Sequence, residues 1–334
     1  MRLLVVKFIC IALAISACTQ PDSGSEEQLD LVVPGGFESV PIPSHNSLTK
    51  SKVLLGQQLF FDPILSVDST VSCATCHIPH KFFSDGQVIS QGIKGRSGTR
   101  NTPSLINIAY HKLFFWDGGS ITLEHQIFGP LQNSTEMGID LSSAIDRLES
   151  NETYRESFQD IFEEPPSLRG LTQSIAAYQR TLLSRGARYD SYRAGDKSAL
   201  RPAERRGLSL FEGKAGCIHC HNGFLLTSLI FENNGLPISR GDSGRARVTG
   251  LREDYGKFKI PSLRNISETA PYMHDGRMVT LSEVIEHYNK GGNDVRGKSA
   301  LIKPLYLNEL ERADLEAFLH SLTDSSIYAG LEIL

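Results

Sequence analysis

Four cysteines and two histidines carry the most specific chemistry in this 334-residue chain, and they form two copies of one pattern. Cys73-Ala74-Thr75-Cys76-His77 recurs as Cys217-Ile218-His219-Cys220-His221, 144 residues further on. Thiols at i and i+3 sit one helical turn apart and can bond both vinyl groups of a single porphyrin. The histidine that follows then falls under the iron as its proximal ligand. The alternative is one zinc site built from all four cysteines, but structural zinc usually takes cysteine pairs about 12 to 20 residues apart. The pattern reads as two covalent haem c groups, held by Cys73, Cys76 and His77 and by Cys217, Cys220 and His221. The other two cysteines, Cys10 and Cys18, lie near the N-terminus, so the body keeps no pair for a disulfide.

Composition sets the frame for this chemistry. Hydrophobic content of 40% and charged content of 22% describe a soluble globular chain. A net charge of −4 argues against nucleic acid as the partner. Arg2 precedes a largely apolar run from Leu3 to Ala14 that Lys7 interrupts, followed by Ile15-Ser16-Ala17-Cys18. This layout predicts a secretory leader over residues 1–17, too short and interrupted to span a membrane. Small residues just before Cys18 predict its lipidation, which would anchor the chain on the periplasmic side of a bacterial membrane. Ordinary cleavage near Ala17 would leave a soluble periplasmic protein. Residues 18–46 form a tether and N-terminal segment, polar and acidic from Thr19 to about Asp30.

The elements that must position the two motifs are mainly helical. Val53, Leu54, Leu59 and Phe60 predict a helix that ends near Asp62-Pro63, just ahead of the first motif. Helices are expected over Leu141–Ser150, Thr153–Phe162 and Leu168–Leu183; in the last, Leu171, Ile175, Tyr178 and Leu182 recur at three- and four-residue spacing. Pro202 opens a helix to Phe211 that presents the second motif, and a helix over Asn308–Leu322 closes the chain. Ser84 to Gly98 is a long polar loop without periodicity. Glu164-Pro165-Pro166 breaks the pattern and suggests a boundary between domains at 47–165 and 166–334.

An internal repeat ties the halves together. Pro103-Ser104-Leu105-Ile106-Asn107 recurs as Pro261-Ser262-Leu263-Arg264-Asn265, with Asp117-Gly118 and Asp275-Gly276 at the same offset and Thr122-Leu123 and Thr280-Leu281 at the next. The fold expected is therefore two cytochrome c-like haem domains related by duplication. The copies differ at two informative places. Trp116, the only tryptophan, corresponds to His274, and Pro130 corresponds to Tyr288. Tyrosine can ligate ferric iron and proline cannot, so the first haem is expected to keep an open position and the second to be closed.

With these stretches the chain resembles the bacterial di-haem cytochrome c peroxidases, and among them the MauG branch. The resemblance runs from about Leu55 to Leu322 and rests on Arg100-Asn101-Thr102-Pro103, Phe115-Trp116-Asp117-Gly118, Gln126, Gly129-Pro130, Glu136-Met137 and Ala270-Pro271-Tyr272-Met273-His274-Asp275-Gly276. It implies a peroxidatic N-terminal haem with His77 proximal and Gln126 and Glu136 on its distal face, an electron-carrying role for Trp116, and Tyr288 as axial ligand of the second haem. It also implies a calcium ion held by the Asn101 side chain and the carbonyls of Thr269 and Pro271, a site type suited to a hard cation. Two departures mark the branch. Ile93 stands where other members place a capping histidine, and Tyr288 stands where they place methionine. The implied partners are hydrogen peroxide and either a periplasmic electron-donor protein or a protein substrate. His287, beside Tyr288, is the rival axial ligand, and His111 and His125 are rival caps for the first haem. A di-haem electron carrier without catalysis is the reading from another class.

Overall fold

The computed structural model describes residues 27–33, 36–238 and 241–326; the expected leader and Cys18 lie outside them. Helix α1 (Lys50–Phe61) leads to the first motif, whose cysteines lie on the single turn α2 (Cys73–Cys76). Two short helices, α3 (Leu123–Gln126) and α4 (Phe128–Gln132), precede α5 (Leu141–Ser150), α6 (Glu152–Phe162) and α7 (Leu168–Arg180). The second half holds α8 (Arg188–Arg193), α9 (Pro202–Glu212), α10 (Ala246–Thr249), α11 (Leu281–Asn289) and α12 (Glu309–His320). One antiparallel pair, β1 (Phe231–Glu232) and β2 (Phe258–Lys259), is the sheet seen among the described residues. None of the described helices is long and apolar enough to cross a membrane.

Each half is organised on one close helix crossing. In the first, α1 meets α7 so tightly that a Cβ on Gly56 would lie 1.8 Å from the Ser174 carbonyl oxygen. In the second, α9 meets α12, and a Cβ on Gly207 would lie 1.9 Å from the Asp314 carbonyl oxygen. Only glycine allows two helix backbones to approach this far. Around the first crossing, Phe60, Leu59, Tyr154, Phe158, Leu171, Ile175 and Tyr178 form one core; around the second, Phe211, Leu281, Ile285, Leu315 and Phe318 form another.

This packing corrects the expected boundary. Helix α7 belongs to the first core, and the changeover comes after Leu182 rather than at Pro165-Pro166. The repeat supports this in detail. The Asn107 and Asn265 backbones are both left-handed, and their N–H groups donate to Leu182 O (2.7 Å) and Leu322 O (3.1 Å). Their side-chain oxygens accept from the N–H groups of Ser184 and Asp324. The stretch after α7 is thus the counterpart of the stretch after α12. Pro165-Pro166 interrupts the chain without ending the domain, because α7 returns to cover α1.

The N-terminal segment also departs from expectation. From Glu27 onward it packs on the body instead of hanging free: Gln28 bridges to Thr49, Leu29 and Leu31 contact the first core, and Asn46 is buried. Phe37 packs at a tilt against Phe224 (5.0 Å between centroids) beneath the Arg264 guanidinium.

Two measurements check this packing. Gly56→Ala should cost about 1–3 kcal/mol through overpacking and lower the melting temperature by several degrees, read by circular dichroism. Asp324, buried between the segments after α7 and α12, accepts from the N–H groups of Arg185 and Gly186. Burial raises its pKa, but the Ser326 hydroxyl and these amides outweigh it and hold the carboxyl below its usual value. A depressed folded-state pKa stabilises above the unfolded value and loses that contribution as pH falls through the folded one. Asp324→Asn should therefore melt lower than the parent near neutrality, with the gap closing below about pH 4.

Candidate functional site

Each motif histidine is aimed by a backbone carbonyl. His77 Nδ1 lies 2.9 Å from Phe83 O, and His221 Nδ1 lies 3.2 Å from Leu226 O. A ring that donates from Nδ1 keeps its lone pair on Nε2, the nitrogen an iron needs. Burial lowers the pKa of both rings, that of His221 to about 4, so both stay neutral. The repeat explains how the carbonyls are held. Ser104 Oγ donates to Phe82 O (2.5 Å) and Ser262 Oγ donates to Leu225 O (2.6 Å), in each case one residue before the carbonyl that takes the histidine.

The cysteines are free and half-buried. Burial, Cys76 and the Glu136 carboxylate push the Cys73 thiol up to about 12. Burial, Asp85 and Glu136 push Cys76 up to about 11, against a hydrogen bond from Ser90. Burial pushes Cys217 up to about 12. These are neutral thiols spaced to form thioethers, not thiolates gathered on a metal. Among the described residues no three His, Cys, Asp or Glu side chains converge on a metal position, and the two cysteine pairs sit on separate cores, so the single zinc site is excluded. Both thiol pairs and both histidines fit attached haem.

On the first site, Glu136 ends the turn after α4. Its N–H donates to Asn133 O and its Oε1 accepts from Asn133 Nδ2 at 2.6 Å. Burial raises its pKa, opposed by that hydrogen bond. The carboxyl is within electrostatic reach of both Cys73 and Cys76, whose thiol pKa values it raises. Gln126 closes α3, which Thr122 caps, and Pro130 O accepts from Met137 N–H. Ile93 is buried, its N–H donates to Glu136 O (2.8 Å), and Gly92 lies where a Cβ would meet the Thr135 and Glu136 carbonyls at 2.2 and 2.4 Å. The loop that could carry a capping side chain is locked against the Glu136 backbone.

The two other histidines proposed as caps are each bonded through Nδ1. His125 is exposed and bonds Ser120 Oγ through Nδ1 at 3.0 Å. His111 Nδ1 lies 3.2 Å from the Lys259 ammonium, which also donates to Leu113 O. An imidazole that accepts at Nδ1 carries its proton on Nε2 and has no lone pair there for iron.

On the second site, α11 starts with a Thr280–Glu283 capping box and carries Tyr288 in its last turn. Burial raises the Tyr288 phenol pKa, Asn234 Nδ2 donates to its oxygen at 3.4 Å and lowers it, and Cys217 and Cys220 raise it further. The phenol is thus within the electrostatic reach of the second motif. His287 turns away, with Nε2 donating to Asn234 O at 2.9 Å.

Between the sites, the Trp116 indole N–H donates to Asn101 O at 2.9 Å. Asn101 N–H donates to His274 O (2.9 Å) and Lys259 N–H to Trp116 O (2.7 Å); 101 and 259 are repeat mates, as are 116 and 274. The halves thus exchange equivalent hydrogen bonds across their junction. Asn101 Nδ2 donates to Gln87 O (2.8 Å), and its bond to His274 sets it against the turn after Pro271. Sequence reasoning did not single out Asn133, Asn234 or Lys259; Asn133, three residues before Glu136 and bonded to Thr135 N–H through Oδ1, had a legible turn signal.

Residues 50–198 match the family model described as di-haem cytochrome c peroxidase. The chain is 41% identical over 291 residues to the methylamine utilization protein MauG of Methylorubrum extorquens, covering 85% of this chain and 82% of that one. It is 36% identical to the cytochrome-c peroxidase IdrP1 of Denitromonas iodatirespirans, covering 95% and 93%. A solved MauG-like protein associated with microbial copper homeostasis superposes with a TM-score of 0.84 at 35% identity, over 90% of this chain and 97% of that one. A chain with these two thiol pairs, these two carbonyl-aimed histidines and these relatives belongs to the di-haem cytochrome c peroxidase family.

Proposed function

We propose that the His77 unit reduces hydrogen peroxide and that the His221 unit, with Tyr288 as its second axial ligand, holds and passes the electrons. The observation that carries this reading is the locked loop at Ile93 beside a half-buried Glu136 whose carboxyl pKa is raised. Peroxide takes up two electrons and two protons to give two waters. The attached haems supply the redox chemistry. The protein supplies the protons and the geometry.

Glu136 is suited to the proton work. Asn133 holds Oε1, leaving Oε2 to take a proton from the inner oxygen of peroxide and return it to the outer one. Burial raises the pKa of the carboxyl, favouring the proton-bearing form more than open solvent would. Gln126 offers a neutral amide that can donate and accept in orienting peroxide. Pro130, at the repeat position of Tyr288, brings no ligand of its own. Trp116, bonded at its indole N–H and its carbonyl to the crossing strands, is the bridge between the sites. Calcium at Asn101, Thr269 and Pro271 would brace the same junction.

The reading extends to place and partners. The leader-like run before Cys18 supports a periplasmic enzyme, lipid-anchored at Cys18, with a periplasmic donor protein as reductant. The 41% identity to MauG favours one second reading, in which the oxidising equivalents modify residues of a partner protein. The plain electron carrier is disfavoured because it leaves Glu136, half-buried and with a raised pKa, without a task.

Two experiments test the assignment. Glu136→Gln should slow the reaction with peroxide by about 10²–10⁴-fold, leaving the spectrum of the second haem unchanged; an unaltered rate removes Glu136 from proton transfer. Electron paramagnetic resonance of the ferric protein should show one high-spin and one low-spin haem. Tyr288→Phe should convert the low-spin signal, and His287→Ala should not; the reverse pattern makes His287 the ligand.

A further inference from the structure

The second repeat carries a segment that the first lacks. Forty residues separate His221 from Pro261, against 26 between His77 and Pro103, so the second copy is longer here by 14. Asp242, Arg245 and Arg247 lie in this stretch, and all three reach into the first half. Their meeting point is Asp117, the residue after Trp116.

Asp117 is wholly buried. Its Oδ2 accepts from Arg100 Nη1 (2.8 Å) and from Arg247 Nη2 and Nε (2.6 and 3.0 Å), and its Oδ1 accepts from Gly119 N–H (3.1 Å). Arg245 Nη1 donates to the Asp117 and Gly118 carbonyls (2.9 and 3.2 Å), and its guanidinium lies over the Phe231 ring at 4.3 Å. Arg100 is itself held by a two-pronged pair with Asp242 (2.8 and 2.7 Å). Gly118 is part of the design. Its φ is +73°, and a Cβ there would lie 2.4 Å from Arg245 Nη1 and 2.5 Å from Phe231 Cζ, so the cover closes only over glycine.

Arg100 and Asn101 are consecutive residues. One fixes the Asp117 carboxylate, and the carbonyl of the other takes the Trp116 indole N–H. The tryptophan is therefore gripped at its ring, at its own carbonyl by Lys259, and at the next residue by three arginines. Burial alone would raise the Asp117 pKa, but Arg100 and Arg247 hold it down, so the hub stays charged.

We infer that Asp117 is a positioning residue for Trp116, and that the Asp242–Arg247 segment is a clamp by which the second haem unit fixes the ring between the two sites. The functional half of this inference rests on the bridging role proposed for Trp116; the geometric half does not. A ring held at several points keeps one distance and one orientation, and electron transfer through it depends on both.

Trp116 is the only tryptophan, so its fluorescence reports on this ring alone. In the di-haem protein, quenching by the haems makes the lifetime sensitive to ring position. The test combines time-resolved fluorescence with the rate of electron transfer between the haems, in Asp117→Asn, Arg247→Gln and Trp116→Phe. The expected result is one dominant lifetime in the parent, at least two in Asp117→Asn, and a transfer rate at least tenfold slower. Arg247→Gln, which removes one arm whose side chain is 64% exposed, should lie between. Parent-like lifetimes in both variants overturn the clamp. Should Asp117→Asn fail to accumulate as di-haem protein, Arg247→Gln decides alone: a split lifetime supports the clamp and a parent-like one overturns it. Split lifetimes in Asp117→Asn, with transfer unchanged both there and in Trp116→Phe, uphold the clamp and overturn the bridge.

Discussion

The molecule depends on which nitrogen of each motif histidine faces the porphyrin site. The Nδ1 bond from His77 to Phe83 O, and its counterpart from His221 to Leu226 O, decide this. Without those carbonyls an imidazole beside two cysteines is free to turn, and the thioethers alone would not fix the axial position. The remaining architecture serves the two bonds. The repeat serines brace the loops, the repeat asparagines tie those loops to the ends of α7 and α12, and the glycine crossings press the helices into a wall behind them. A short strand-like motif, Pro-Ser-Leu, thus has a physical meaning beyond its use as a sign of duplication.

On this shared frame, small changes build two different sites. Proline against tyrosine at one helical position decides whether a side chain able to ligate iron is present. Histidine against tryptophan at another places one aromatic ring at the junction with a bonded N–H and its mate stacked flat on Phe258, 3.7 Å between centroids. Isoleucine at position 93 leaves the loop apolar, and Gly92 lets it sink until its backbone bonds that of Glu136. None of these changes alters the fold, because each acts on a side chain that points into a space the frame already provides.

How much was legible beforehand follows from what each signal measures. Periodicity located α5, α6 and α7 to within a few residues, since apolar spacing reports a buried face. It did not say what α7 is buried against, and a Pro-Pro break was given more weight than it had. The CxxCH motifs and the repeat identified the chemistry because their meaning is local. The hub at Asp117 was visible as a conspicuous aspartate, yet its partners Arg245 and Arg247 lie about 130 residues away and carry no spacing that announces them. The polar stretch near the N-terminus read as a tether because composition averages over its few apolar residues, and Leu29, Leu31 and Phe37 are the ones that dock.

The exchanged hydrogen bonds at the junction have a mechanical consequence. Asn101 of one half completes the turn at His274 of the other, and Lys259 returns the same bond to Trp116. A hinge needs a seam across which few bonds run, and here the seam is cross-laced by equivalent bonds from both halves. The halves cannot swing apart as rigid bodies without breaking both laces at once. A nick between Arg185 and Ala187 would leave both laces in place, so the seam is held by more than the continuity of the chain.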